Sequence, residues 1–285
     1  MATAALAAES AIKTMKLYNN IDRVTNEMKN RGLLGLERKL DAAELVPFTC
    51  LNYSGSAGCH RAIDFMKLEK TSNLLDVGCG VGGPSLLIAE TTGCRITAVD
   101  LQEDVLENLK VMSGLCGLSA QISPVRANIV NVVPSEQFDG MIAMLTILHI
   151  PLDQRDSIFK NIFACLNPGA GIYLEDYFRK GDFCEAEVAS LENDVYCSEL
   201  PTAQEYATTL QDCGFEAVNV EDRTEEWGGF VAERFGMFKA NREAYIQTHN
   251  EETFTSMEFF YSATDTLFKG GNLGAGSIYA RKPMV

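Results

Sequence analysis

One stretch constrains the fold of this chain more than any other. Leu74-Leu75-Asp76-Val77 is followed directly by Gly78-Cys79-Gly80-Val81-Gly82-Gly83. The short apolar run reads as a buried strand. The glycines after it let the backbone turn sharply and approach a ligand closely. Pro84 then stands in the first turn of a predicted helix that runs to Thr91, where a missing amide is tolerated. The start of such a helix presents free N–H groups and the positive end of its dipole. From Gly78 through Gly80 to Gly83 the spacing matches the dinucleotide fingerprint G-x-G-x-x-G. Asp76 argues against that ligand, because a carboxylate ahead of the loop crowds a pyrophosphate and suits a cationic amino-acid moiety.

Downstream, strands and helices alternate. Arg95–Val99 reads as a strand ending at Asp100, about 20 residues beyond the loop, where an acid can accept hydrogen bonds from ribose hydroxyls. Asp104–Cys116 reads as a helix, Ile122–Arg126 and Phe138–Leu145 as strands. Leu152–Leu166 is a predicted helix stopped by Asn167-Pro168-Gly169. Ala170–Tyr177 and Ala217–Asp222 are strands, separated by a helix at Thr202–Cys213 with Thr202 as cap and Glu205 three residues on. This alternation predicts an α/β fold with a doubly wound, mostly parallel sheet.

The ends break the rhythm. Ala11–Gly32 reads as a helix, Leu45–Gly58 as a loop and Ala57–Met66 as a second helix. Glu225–Phe268 is mostly helical and rich in aromatics, and Ser277–Arg281 is a predicted final strand. The expected division is an N-terminal helical cap over 1–56, a core over 57–224, a helical cap insertion over 225–275 and a last core strand over 276–285. Cap and insertion are expected to roof the ligand end of the sheet.

Charge and composition limit the partners. The formal net charge is -15, and such a field opposes binding to a nucleic-acid backbone. A cationic or zwitterionic small molecule is better tolerated. No window approaches the roughly 18 apolar residues of a membrane span. The alanine-rich start, Met1–Met15, lacks the charged and apolar regions of a signal peptide and reads as a helix. The nine cysteines are scattered without the close pairs of zinc sites, so no metal is expected and a reducing cytoplasm fits best.

Taken in order, these residues resemble the S-adenosylmethionine-dependent methyltransferase superfamily, over roughly Ala57 to Asp222. Leu75–Gly83 resembles its first motif and Val99-Asp100 its ribose motif. Phe138-Asp139 ahead of the fourth strand and Leu166-Asn167-Pro168-Gly169 ahead of the fifth also fall in place. The resemblance implies a Rossmann-like fold with S-adenosylmethionine as cofactor and S-adenosylhomocysteine as product. Asp76, Gly78, Cys79, Gly80, Asp100, Leu101, Asn128, Ile129 and Leu145 would line that cofactor. Leu101 would pack on the adenine and Ala127-Asn128-Ile129 would cup it, although the family often has an acid at the Asn128 position.

Ile147-Leu148-His149 also resembles the phosphoethanolamine and glycine or sarcosine N-methyltransferases, and Tyr53 resembles a cap tyrosine that touches the methyl donor. His149 is one of three histidines. Its range near neutrality suits either a general base or a structural role. Leu145 departs from relatives that carry a polar residue there, and no basic cluster for a phosphate group is visible. At the end of the fifth strand, Glu175-Asp176-Tyr177-Phe178 could hold a cationic amine through carboxylates and ring faces. Glu225-Glu226-Trp227 offers a second such group, so Asp176, Tyr177 and Trp227 are the expected acceptor contacts. Phe254, Phe259, Phe260 and Tyr261 are expected to pack the cap.

The best reading is therefore methyl transfer to a small-molecule amine by a monomer or homodimer. Open alternatives are carbon methylation of a sterol or quinone, and methylation of a thiol or hydroxy acid. A nicotinamide-dependent oxidoreductase and a non-catalytic cofactor-binding protein are alternatives of a different class.

Overall fold

The computed structural model describes residues 21–130 and 136–284. Its seven strands are β1 (Asn73–Val77), β2 (Arg95–Asp100), β3 (Ile122–Arg126), β4 (Phe138–Met144), β5 (Leu166–Arg179), β6 (Glu216–Asp222) and β7 (Leu273–Arg281). They form one sheet in the order β3-β2-β1-β4-β5-β7-β6. Strands β3, β2, β1, β4 and β5 pair in parallel, and β7 runs antiparallel to both β5 and β6. Strand order reverses between β1 and β4. The loops leaving their carboxyl ends therefore diverge, and this is where open α/β sheets bind ligands.

Apolar residues cover both faces of the sheet, as buried parallel strands require. Leu74 joins a core with Ile88, Leu109, Met112 and Ile142. Its neighbour Leu75 points the other way, to Phe138, Ile158 and Phe159, because side chains alternate along a strand. A third cluster lies beyond the strand ends and joins Tyr53, Leu148, Tyr177, Trp227, Phe268 and Ala275. Among the described residues no helix is long and apolar enough to cross a membrane.

Several expected boundaries move. Residues 11–20 of the first predicted helix lie outside the described residues, and the helix described there is Asp22–Asn30. The predicted loop from Leu45 contains most of a helix, Ala42–Thr49, which starts with a capping box between Asp41 and Glu44. Pro47 sits inside it, and in so short a helix its missing amide forfeits one hydrogen bond. The next helix starts at Gly55. Asn167-Pro168-Gly169 does end the preceding helix, at Cys165, but it lies within β5, where the register against β4 shifts.

Strand β7 begins at Leu273, ahead of the expected 276 boundary, and pairs with β5 from Gly171 to Arg179. Its two glycines hide the strand pattern, yet packing demands them. A Cβ at Gly276 would lie 2.0 Å from the Glu221 carbonyl oxygen, and one at Gly274 would lie 2.2 Å from the Phe178 ring. Between β6 and β7 the chain forms helices Thr224–Ala240, Arg242–Thr248 and Glu251–Gly270.

Candidate active site

The glycine loop is closed from both sides. The amides of Gly78 and Cys79 donate to the Val99 carbonyl at 2.8 and 3.0 Å. The Gly80 amide donates to Asp100 Oδ2, and the Gln102 amide to Asp100 Oδ1, each at 2.9 Å. Asp100 thus ties the loop after β1 to the segment after β2. Gly78 has φ +69°, and a Cβ there would meet Thr146 Cγ2 at 2.2 Å. The loop therefore packs directly against the turn that follows β4. At Gly83 a Cβ would lie 2.5 Å from the Thr49 backbone, so the Ala42–Thr49 helix also closes onto the loop.

Asp76 is 3 % exposed and accepts a hydrogen bond from Ser85 Oγ at 2.6 Å. Burial pushes its carboxyl up to about 7; the Ser85 bond opposes this and the nearby Asp100 charge reinforces it. No cation among the described residues pairs with Asp76. A buried carboxylate without a counter-ion is costly, and an ammonium bound beside the loop supplies the missing charge. The residues present therefore fit the amino-acid end of S-adenosylmethionine. Cys79 is buried, and burial raises its thiol well above the usual range.

The expected adenine-side residues are placed differently from one another. Leu101 is half-buried between Asp100 and Gln102. Asn128 already uses its side-chain oxygen to accept from the Val130 amide at 3.0 Å, so the expected donation from an adenine amino group to that oxygen has a local competitor. Ile129 is 8 % exposed and packs with Val77 and Val99.

Beside the loop, across the carboxyl ends of β4 and β5, lies a cleft open at its mouth, with about 660 Å³ of atom-free space when open solvent is included. Leu145, His149, Tyr53 and Tyr177 all line it, so the fold gathers residues from distant parts of the chain. Leu145 has φ +56° and its amide donates to the Glu175 carbonyl at 2.7 Å. A left-handed leucine stores backbone strain, which persists only when surroundings over-determine it. His149 Nδ1 lies 3.1 Å from the Tyr196 carbonyl oxygen. A carbonyl only accepts, so Nδ1 carries the proton and Nε2 is the basic atom. Burial lowers the His149 pKa, with the Tyr196 bond opposing it.

The hydroxyls of Tyr53 and Tyr177 hydrogen-bond to each other at 2.5 Å, and their rings stack with centroids 6.1 Å apart. Burial raises the Tyr53 phenol to about 12 and raises Tyr177 as well. Both are neutral hydroxyls at physiological pH, one donating to the other.

Two expected acceptor contacts are not in the cleft. Asp176 is fully buried on the opposite face of β5 from Tyr177, because successive strand residues alternate. It accepts from the Tyr206 hydroxyl and the Tyr177 amide, each at 2.9 Å, and burial lifts it to about 6. Trp227 is 0 % exposed, donates through Nε1 to Ser54 Oγ at 3.1 Å, and packs edge-on against the Tyr53 ring at 5.5 Å. It supports Tyr53 from behind. The companion acids do not face the cleft either. Glu175 is buried against Asn52 and Tyr173, while Glu225 and Glu226 are exposed.

Sequence reasoning missed four kinds of contributor. Phe260 and Tyr261 line the cleft, as do Arg234 and Thr264; helical aromatics there carried only a packing signal. Arg155 is 3 % exposed and donates to the carbonyls of Ile150, Leu148 and Glu199 at 2.9, 3.4 and 3.2 Å. It pins the turn that carries His149, although an arginine in a polar helix reads as a surface residue.

Residues 74–169 match the family model described as a methyltransferase domain. Phosphoethanolamine N-methyltransferase 1 of Triticum aestivum is 26 % identical over 266 residues, which is 88 % of this chain and 52 % of that protein. This chain spans about half the length of the first curated relatives it matches. Sarcosine/dimethylglycine N-methyltransferase of Halorhodospira halochloris is 26 % identical over 223 residues, 76 % of this chain and 77 % of that one. Among solved structures, Haemonchus contortus phosphoethanolamine N-methyltransferase 2, in complex with phosphomonomethylethanolamine and S-adenosylhomocysteine, superposes with a TM-score of 0.75 at 18 % identity. That match covers 85 % of this chain and 56 % of the other. Residues 74–169 are thus similar to a methyltransferase domain, and the Rossmann-like sheet that contains them has the fold of that solved structure.

Proposed function

We propose that this protein is an enzyme that transfers the methyl group of S-adenosylmethionine to an amine nitrogen of a small-molecule acceptor held in the cleft. The observation that carries this reading is Asp76. It is a buried carboxylate without a counter-ion among the described residues, beside a glycine loop that packs on Thr146, next to the Leu145 that lines the aromatic cleft. The relatives named for N-methylation of phosphoethanolamine and of sarcosine or dimethylglycine support the choice of nitrogen.

When bound, S-adenosylmethionine supplies an electrophilic methyl on a sulfonium. The chain's own residues bind and align. Asp76 takes the ammonium of the amino-acid end, Asp100 the ribose hydroxyls, and the backbone at Gly78, Cys79 and Gly80 allows close approach. Leu101, Asn128 and Ile129 flank the adenine, and Leu145 separates donor from acceptor. Tyr53 and Tyr177 present a hydrogen-bonded pair of hydroxyls to the cleft, and the apolar lining excludes water. An acceptor that arrives as ammonium must first lose a proton. Nε2 of His149 accepts it, while Nδ1–H stays on the Tyr196 carbonyl.

The charge of -15 disfavours nucleic acid as acceptor. The nine cysteines form no disulfide, and eight are buried, which suits a reducing compartment such as the cytoplasm. We read the working form as a monomer or homodimer.

The test is transfer of labelled methyl to amines, with sterol, thiol and hydroxy-acid controls. Transfer to an amine is the expected result. Transfer to a control alone refutes the nitrogen acceptor, and tight donor binding with no transfer to any of these compounds refutes the enzymatic reading for them.

A further inference from the structure

The acids expected to hold a cation lie outside the cleft, and among the described residues no carboxylate lines it. The charged group that does line it is a guanidinium, Arg234. It stands on the Thr224–Ala240 helix two turns after the buried Trp227 and one turn after Phe230, so the helical repeat brings it to the inner side.

Arg234 differs from the other half-buried arginines. Arg61 pairs with Glu175 at 3.4 Å, and Arg223 pairs with Glu221 and Glu226 at 2.6 and 2.8 Å. Arg234 has no ion pair or hydrogen bond with a described residue. Its guanidinium carbon instead sits 5.1 Å from the Tyr261 ring centroid and 5.8 Å from that of Phe230. A cation held by ring faces at these distances keeps its N–H donors without a hydrogen-bond acceptor among the described residues. The N–H fork of a guanidinium matches a carboxylate in bidentate geometry.

The rest of the lining decides what carries the anion. Leu51, Leu148, Val195, Val231 and Phe260 are apolar. A bare zwitterion such as glycine leaves them uncovered. A phosphate dianion brings two charges to one cation in a poorly solvated site, where unmatched charge is expensive. The overall charge of -15 does not outweigh the local pairing, because exposed charges are screened beyond about 8 Å at physiological salt.

We propose that Arg234 sets acceptor specificity, and that the acceptor is an amine carrying one carboxylate on an apolar body. This inference rests on the methyltransferase reading above. Arg234 grips the carboxylate, the apolar walls cover the body, and the amine is left to the His149 and Tyr53 end of the cleft.

The experiment compares the full-length protein with Arg234→Gln and Arg234→Lys. Methyl transfer is measured for phenylalanine and leucine, for phenethylamine and isoamylamine as their decarboxylated counterparts, and for glycine and phosphoethanolamine. The wild type is expected to favour the apolar carboxylates over their decarboxylated counterparts by about 30-fold or more in kcat/KM, the scale of a charge-assisted bidentate pair. In Arg234→Gln that preference collapses through KM, while donor affinity holds. Arg234→Lys restores part of it. A preference for phosphoethanolamine, for glycine or for the decarboxylated amines overturns the proposal, as does an unchanged preference in Arg234→Gln. A second readout needs no methylation: calorimetric binding of 3-phenylpropionate to donor-loaded protein. Binding that weakens at least about tenfold in Arg234→Gln supports the carboxylate site even if no amine is methylated, in which case the amine reading alone fails. Equal or absent binding to both proteins overturns the site itself.

Discussion

Asp76 stores a pH-dependent cost that can be measured without substrate. Its carboxyl moves from 3.8 to about 7 on folding, chiefly through burial. At pH 4 the native state keeps the proton and the unfolded state has lost only part of it, so the cost is small. As pH rises through the window from 3.8 to about 7, the unfolded chain ionises first and stability falls. Above pH 7 both states are ionised and the full penalty is present. About three pKa units correspond to roughly 4 kcal/mol. The side chain is 3 % exposed, so solvent screening removes little of it.

Asp76→Asn keeps the shape and discards the titration. Denaturant unfolding of the ligand-free protein at pH 5 and pH 8 isolates the effect, because errors common to the substitution cancel between the two conditions. The stability gap between Asp76→Asn and wild type should widen by about 2–3 kcal/mol in favour of the asparagine from pH 5 to pH 8. The same substitution should weaken S-adenosylmethionine binding at pH 8 by at least about tenfold through loss of the charge pair. A gap that stays constant with pH refutes the burial argument. An asparagine variant that binds the donor as well as wild type refutes the role in the site.

Other outcomes follow from named contacts. His149→Ala should lower turnover more than donor affinity; in wild type the acid limb of the pH profile should fall below 6.5, since burial lowers the histidine, and a limb above that value contradicts a buried neutral base. Gly78→Ala places a methyl 2.2 Å from Thr146 in a left-handed backbone and should cost about 1–3 kcal/mol in denaturant unfolding together with donor affinity; full stability would show that the loop and the turn after β4 are less tightly packed. Trp227→Ala should cost about 3–5 kcal/mol by leaving a cavity behind Tyr53, read by thermal or denaturant melts; a raised KM with unchanged stability would instead make Trp227 a direct acceptor contact.

Local patterns made much of the core legible. Leu74–Val77 is a strand because its residues are apolar and bounded by glycine, and the helix from Gly83 follows from Pro84 and the loop. The Thr202 cap is as read: its hydroxyl accepts from the Glu205 amide at 3.1 Å and Glu205 answers at 2.7 Å. Asp76 and Asp100 were placed at the loop by sequence alone because their positions are set by the short strands that end there. Strand β7 was partly hidden, since Gly274 and Gly276 weaken the strand signal for reasons that exist only when Phe178 and Glu221 are beside them.

The cleft was less legible because it depends on which side chains converge. Glu175, Asp176 and Tyr177 are consecutive, yet the first is tied to Asn52, the second to Tyr206 and the third to Tyr53. A list of adjacent acids and aromatics cannot say which face each takes once the strand is buried on both sides. Arg234 and Tyr261 stand apart on different helices, and only helix packing brings the guanidinium over the ring. By itself the sequence determined the strand–loop–helix order and the likeness to a methyltransferase domain, because those are encoded by spacing within one segment. The tertiary structure alone decided the electrostatic sign of the cleft lined by Tyr53 and His149. That sign comes from long-range packing, which among the described residues turned the acids away and left the Arg234 guanidinium facing in.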